Sequence, residues 1–117
     1  QGIQLEIGGD LTYQDSEIKG EAVIINKGQA IRNLSSGRYP VMLGISLVDN
    51  SGVIVNRDFL HQSIMESGLL KMNSSRCVDI RLPNMSEYIE QGYGIKLEIV
   101  QENIGWIEET AQYYWFE

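Results

Sequence analysis

Gly92-Tyr93-Gly94-Ile95-Lys96-Leu97-Glu98-Ile99-Val100-Gln101-Glu102-Asn103-Ile104-Gly105-Trp106 decides how the rest of the chain is read. From Tyr93 to Ile99 apolar and polar residues alternate, the period of a half-buried β-strand. Tyr93, Ile95, Leu97 and Ile99 share one face; Lys96 and Glu98 share the other. Gln101 and Glu102 then follow a hydrophobic run, and Trp106 comes four residues later. Amides, carboxylates and an indole face are groups suited to holding sugars.

Working outward, the same strand period recurs between turn signals. Ile3-Gln4-Leu5-Glu6-Ile7 alternates and is expected to stop at Gly8-Gly9-Asp10. Ile18 to Asn26 is a second run, closed by Asn26-Lys27-Gly28. Pro40 opens a third, with Val41, Leu43, Ile45 and Leu47 on one face. Asp49-Asn50-Ser51-Gly52 reads as a tight turn, because Asn and Gly accept positive φ. Val53 to Phe59 returns as the partner strand, and Cys77 to Leu82 ends at Pro83. After Tyr93 to Glu102 come a short element around Trp106 and an aromatic tail, Tyr113-Tyr114-Trp115-Phe116. Only Met65 to Met72 and Ser86 to Gln91 have room for a turn or two of helix. Strands at regular spacing without long helices predict an all-β, antiparallel β-sandwich.

The 117 residues suit a single domain spanning 1–117, and 43% hydrophobic residues are enough for a core. The chain starts Gln1-Gly2 without an initiator Met, which fits a fragment of a larger protein. Sixteen acidic against nine basic residues give a net charge of −7. That charge disfavours nucleic acid and anionic membrane surfaces as partners. Cys77, the only cysteine, rules out an internal disulfide; its expected role is a small buried apolar one, and a reducing, cytoplasmic location fits. The three Asn-x-Ser triplets at Asn33, Asn73 and Asn84 read as chance matches to the glycosylation pattern.

Catalytic and metal signatures are missing from the sequence. His61 is the only histidine, so neither a His-rich metal site nor a nucleophile–base pair can be assembled around it in a recognisable motif. Asp49-Asn50-Ser51-Gly52 lacks the ligand spacing and closing Glu of a calcium loop. Gly92-Tyr93-Gly94 runs into a strand rather than a helix N-terminus, so it is no phosphate cradle. No metal, cofactor or enzymatic activity is therefore expected. Sugar binding asks for less: planar polar groups for hydroxyls, and an aromatic ring for the C–H face. Arg57, Asp58, His61, Gln101, Glu102 and Trp106 are the candidates. Each competes with a plain structural role, and Trp106 above all is a large burial prize for a small core. The aromatic tail has two readings: an edge strand packed in its own core, or a strand shared with a second copy.

In order, Asn26-Lys27-Gly28, Tyr39-Pro40 through Leu47, Asp49-Asn50-Ser51-Gly52 through Val55, Leu82-Pro83, and Gly92 through Glu102 with Gly105-Trp106 form a longer pattern. That series, from about Ile18 to Trp106, resembles the C-terminal carbohydrate-binding domain of Wzt-type O-antigen ABC transporter ATPases. Its most specific part is the Val100-Gln101-Glu102 to Trp106 ending. His61-Gln62 stand where family members often carry Arg-Thr, and Ile107 stands at the motif's last aromatic position.

The resemblance implies an immunoglobulin-like, jelly-roll-like carbohydrate-binding module without catalytic activity. It would bind the non-reducing end of an undecaprenyl-linked O-polysaccharide at the cytoplasmic face of the bacterial inner membrane. Its partners would be the nucleotide-binding and membrane parts of the exporter. It also implies a homodimer exchanging a C-terminal strand, which would place Tyr113, Tyr114, Trp115 and Phe116 at the interface. Two alternatives stand beside it. One is the same module fused to a glycosyltransferase or methyltransferase; the other is a structural or adhesive sandwich domain without a glycan ligand.

Overall fold

The computed structural model describes residues 4–32, 41–63, 69–101 and 105–116. Nine strands and one short helix follow in the order β1 (Leu5–Gln14), β2 (Glu17–Asn26), β3 (Ile31–Arg32), β4 (Val41–Val48), β5 (Ile54–Ser63), β6 (Leu69–Leu70), β7 (Ser75–Leu82), α1 (Ser86–Glu90), β8 (Gly94–Gln101) and β9 (Gly105–Tyr114). Every pairing is antiparallel. One sheet has the order β1-β2-β7, a second β5-β4-β8-β9, and β3 with β6 makes a two-stranded ribbon. The architecture is the expected all-β, sandwich-like one.

Alternation builds the core. Leu5, Ile7 and Leu11 of β1, Ile18, Ala22 and Ile24 of β2, and Val78, Ile80 and Leu82 of β7 are buried from one sheet. Leu43, Ile45 and Leu47 of β4 and Ile95, Leu97 and Ile99 of β8 are buried from the other. The opposite face of the three-stranded sheet is an ordinary solvated one: Glu6, Thr12, Lys19, Glu21, Asp79 and Arg81 are all exposed. There the Arg81 guanidinium lies 2.7 Å from the Glu17 carboxylate and holds that carboxyl below its usual range.

Three sequence expectations need correction here. The first strand does not stop at Gly8-Gly9 but runs on to Gln14, so the turn is Asp15-Ser16. Gly9 lies inside the ladder because a Cβ there would fall 2.6 Å from the Glu21 carbonyl oxygen, so this glycine marks a close backbone approach. Cys77 is exposed, not buried, because Val78, Ile80 and Leu82 take the inward positions of β7. The short element around Trp106 and the start of the tail are one ten-residue strand, β9.

The Asp15-Ser16 turn carries a prediction. Both residues have positive φ, 57° and 65°, as a two-residue hairpin of this kind demands, yet neither is glycine. Left-handed backbone costs a residue with a Cβ about 1 kcal/mol. Ser16→Gly should therefore stabilise the domain by about 1 kcal/mol in urea unfolding. The hydrogen bond that Met85 N–H donates to the Ser16 carbonyl is kept, because it uses only backbone. An unchanged or lowered midpoint would contradict the assignment.

The other turn signals hold. Asp49 Oδ1 accepts hydrogen bonds from the N–H groups of Ser51 and Val53, and Gly52 takes φ of 87°. α1 ends at Gly92 with φ of 86°: Gly92 N–H donates to Ile89 and Tyr93 N–H to Tyr88, the paired bonds of a Schellman cap. Of the region from Met65 to Met72 expected to hold a helical turn, Leu69–Leu70 is strand, and residues 65–68 lie outside the described residues.

Candidate functional site

β9 pairs with β8 in two registers. Ile99 faces Ile107, Val100 faces Trp106 and Gln101 faces Gly105; beyond the break Leu97 faces Gln112, Lys96 faces Tyr113 and Ile95 faces Tyr114. Across that break β9 carries three more residues than β8 needs. Thr110, itself buried, holds the irregularity: Ile99 N–H donates to its Oγ1 at 2.9 Å, and its hydroxyl donates to the Ile107 carbonyl at 2.7 Å. An odd number of extra residues inverts the alternation. Trp106 and Tyr113, seven apart, would face opposite ways on a regular strand. Here both stand on the outward face, while Ile107 and Tyr114 turn to the core.

The outward face of the four-stranded sheet is unlike that of the other sheet. Met42, Val100 and Trp106 form one cross-strand row, Gly44 pairs with Glu98, and Ser46, Lys96 and Tyr113 form another row. Ser46 and Glu98 are fully buried and Lys96 nearly so. Lys96 Nζ lies 3.1 Å from Glu98 Oε1, an ion pair by distance. Among the described residues, neither carboxylate oxygen of Glu98 nor the Ser46 hydroxyl has a partner in hydrogen-bonding geometry. Lys96 Nζ also stands 5.5 Å from the centroid of the Tyr113 ring.

Trp106 is half-buried and lies across the sheet. A Cβ on Gly44 would meet its Cζ3 and Cη2, the latter at 2.5 Å, so the ring occupies the space a side chain on β4 would need. The exposed Arg57 places its guanidinium carbon 5.0 Å from the indole centroid, a cation–π contact. His61 pairs with Gly44 in the β4–β5 ladder, so its backbone borders the same spot.

Of the six candidate sugar contacts, Arg57 and Trp106 are thus brought together, and His61 is placed beside them by register. Gln101 is not: it pairs with Val41, a core residue, so it sits at the end of the inward face. The side chains of Asp58 and His61, and all of Glu102, lie outside the described residues. Sequence reading did not single out Gly44, Ser46, Lys96 and Glu98, which the register sets on the same face as Trp106. The signal was present in Lys96-Leu97-Glu98, where two charges alternate with core positions. The pattern puts both on the face opposite the core, but pattern alone does not show what covers that face.

The tail divides by alternation. Tyr114 and Phe116 pack against the core, Phe116 with its ring 6.4 Å from that of Tyr13. Burial pushes the Tyr114 phenol above its ordinary pKa, with the Asp10 carboxylate adding to it. Tyr113 and Trp115 point outward with parallel rings 5.8 Å apart. The inward half fits an edge strand packed in its own core.

Among the described residues no group of three His, Cys, Asp or Glu side chains is placed to hold a metal, and no helix is long and apolar enough to cross a membrane. Comparison with protein-family models, with curated proteins and with solved structures gives no match.

Proposed function

We propose that this domain is a non-catalytic carbohydrate-binding module whose ligand face is the outward side of the β5-β4-β8-β9 sheet. The observation that carries the reading is the inverted alternation of β9. It sets two aromatic side chains, Trp106 and Tyr113, on the same side as Ser46, Lys96 and Glu98. Rings suit the C–H faces of a sugar, and cations suit its hydroxyls and ring substituents. Arg57, exposed and seated over the indole, offers this group a solvent-facing hydrogen-bond donor.

The ordered strand-and-turn series ending in Gln101, Glu102 and Trp106 supports a more specific role. In that role the module takes the non-reducing end of a lipid-linked O-polysaccharide and couples it to an ABC exporter at the inner face of a bacterial inner membrane. The nucleotide-binding part would belong to a larger chain, and the module would act as a homodimer. A Walker A motif in the sequence preceding Gln1 of the parent gene would support the exporter; a Rossmann-type glycine motif would support the transferase fusion instead.

Binding is expected in the micromolar to millimolar range, roughly −4 to −8 kcal/mol, as befits a shallow site with few contacts. Isothermal titration with O-polysaccharide fragments should show it. Arg57→Ala, at an exposed position, should leave the domain folded at a cost of about 0.5–1 kcal/mol for the lost cation–π contact and weaken binding about tenfold or more. Trp106→Ala should abolish binding while also lowering stability. A wild-type domain that binds no fragment rejects the reading, and would favour a structural or adhesive role.

A further inference from the structure

We infer that Tyr113 and Trp115 form a second, preformed subsite that receives the C–H face of a pyranose ring next to the one held at Trp106 and Arg57. The inference rests on the glycan-binding reading of this sheet face and adds a place for a further sugar of the same chain.

Exposure with rigidity is the first argument. Tyr113 and Trp115 are 44% and 46% exposed as residues, yet both rings are held. Trp115 Nε1–H donates to the Asp49 carbonyl at 3.1 Å, across to the β4–β5 turn. Its ring also sits over Gly94, where a Cβ would come within 2.6 Å of Cδ1. Tyr113 runs alongside Gly52, 3.8 Å from where a Cβ would be, with Lys96 Nζ near its ring. The planes differ by only 6°. Aromatic groups fixed in this way lose little freedom when a ligand arrives, which is what a weak polar ligand requires.

Area and rim chemistry choose the occupant. Two half-exposed rings offer roughly 200 Å² of surface. A stable pairing with a second copy needs about 800 Å² from each partner. Even with Val53, exposed on the adjoining turn, the patch is far too small for that alone. It matches instead the apolar face of one or two sugar rings. The backbone of the Asp49-to-Gly52 turn, the exposed Asn50 and Ser51 and the Tyr113 hydroxyl supply polar groups around it. The subsite and the Trp106 end share one face, because Tyr113 and Trp106 both stand on its outer side.

The test uses the protein's two tryptophans, Trp106 and Trp115, whose indole N–H signals are separable by NMR. A panel of bacterial O-polysaccharide fragments, as mono-, di- and tetrasaccharides, is titrated into wild type, Tyr113→Ala and Trp115→Phe. Trp115→Phe keeps a ring and loses the bond to Asp49, so it reports on the fixing of the platform if the alanine variant folds poorly. The proposal expects both indole signals to move with the tetrasaccharide, and tetrasaccharide affinity to fall roughly three- to tenfold in Tyr113→Ala while monosaccharide affinity holds. Fragments that bind wild type and both variants equally, with the Trp115 signal still, overturn the subsite and leave the Trp106 reading standing. No binding by wild type overturns both. A concentration-dependent dimer that Tyr113→Ala abolishes assigns the rings to a second copy and also overturns the subsite.

Discussion

Lys96→Met should lower stability by about 3–5 kcal/mol in urea unfolding, whereas Lys96→Met combined with Glu98→Leu should recover most of the loss. The asymmetry follows from where the charges sit. The Glu98 side chain is 1% exposed and that of Lys96 10%, so both have left water. Their attraction at 3.1 Å offsets the desolvation of each, but among the described residues neither carboxylate oxygen is held in hydrogen-bonding geometry. Removing Lys96 alone strands a buried carboxylate without its only ion-pair partner among the described residues. Replacing both with apolar groups of similar volume removes the desolvation cost together with the attraction. If the double variant is as unstable as the single one, the pair is held by interactions other than mutual compensation. If Lys96→Met is harmless, the row is wetter than its burial indicates.

Gly44→Ala should cost about 1–3 kcal/mol, an overpacking penalty at a position in mid-sheet where alanine is otherwise the better residue. The new methyl would fall 2.5 Å from Trp106 Cη2, so the indole has to leave its seat. Its contact with Arg57, with a centroid distance of 5.0 Å, goes with it. The decisive comparison is the double-mutant cycle. In a Trp106→Ala background the space above residue 44 is empty, and the same Gly44→Ala change should be close to neutral. A coupling of about 1–3 kcal/mol between the two positions is expected. Additive effects would mean that Gly44 is required by the backbone rather than by the indole.

These two sites also mark the border of what could be read from sequence. β4 and β8 were legible because Leu43, Ile45, Leu47 and Ile95, Leu97, Ile99 alternate without interruption, and the Asp49-to-Gly52 turn carries its own chemistry. Glycines misled where they serve packing. Gly9 looks like a turn residue and is a close approach between strands, while the real turn at Asp15-Ser16 has no glycine. β9 was broken in two because its period inverts around Thr110, which local alternation cannot show. That one irregularity decides which aromatics share a face. Sequence therefore reached Arg57 and Trp106 as candidates. It missed their glycine floor, grouped Gln101 with them although its register puts it on the other face, and gave Lys96 and Glu98 a shared face without showing that they are buried.

The outward side of the β5-β4-β8-β9 sheet is the proposed ligand face. Chemical-shift mapping of the 15N-labelled domain with O-polysaccharide fragments tests it most directly. Perturbations are expected to gather at Gly44, Ser46, Arg57, Lys96, Glu98, Trp106 and Tyr113, with the sheet of β1, β2 and β7 silent. Perturbations centred instead on that three-stranded sheet, or none at saturating fragment, would contradict it.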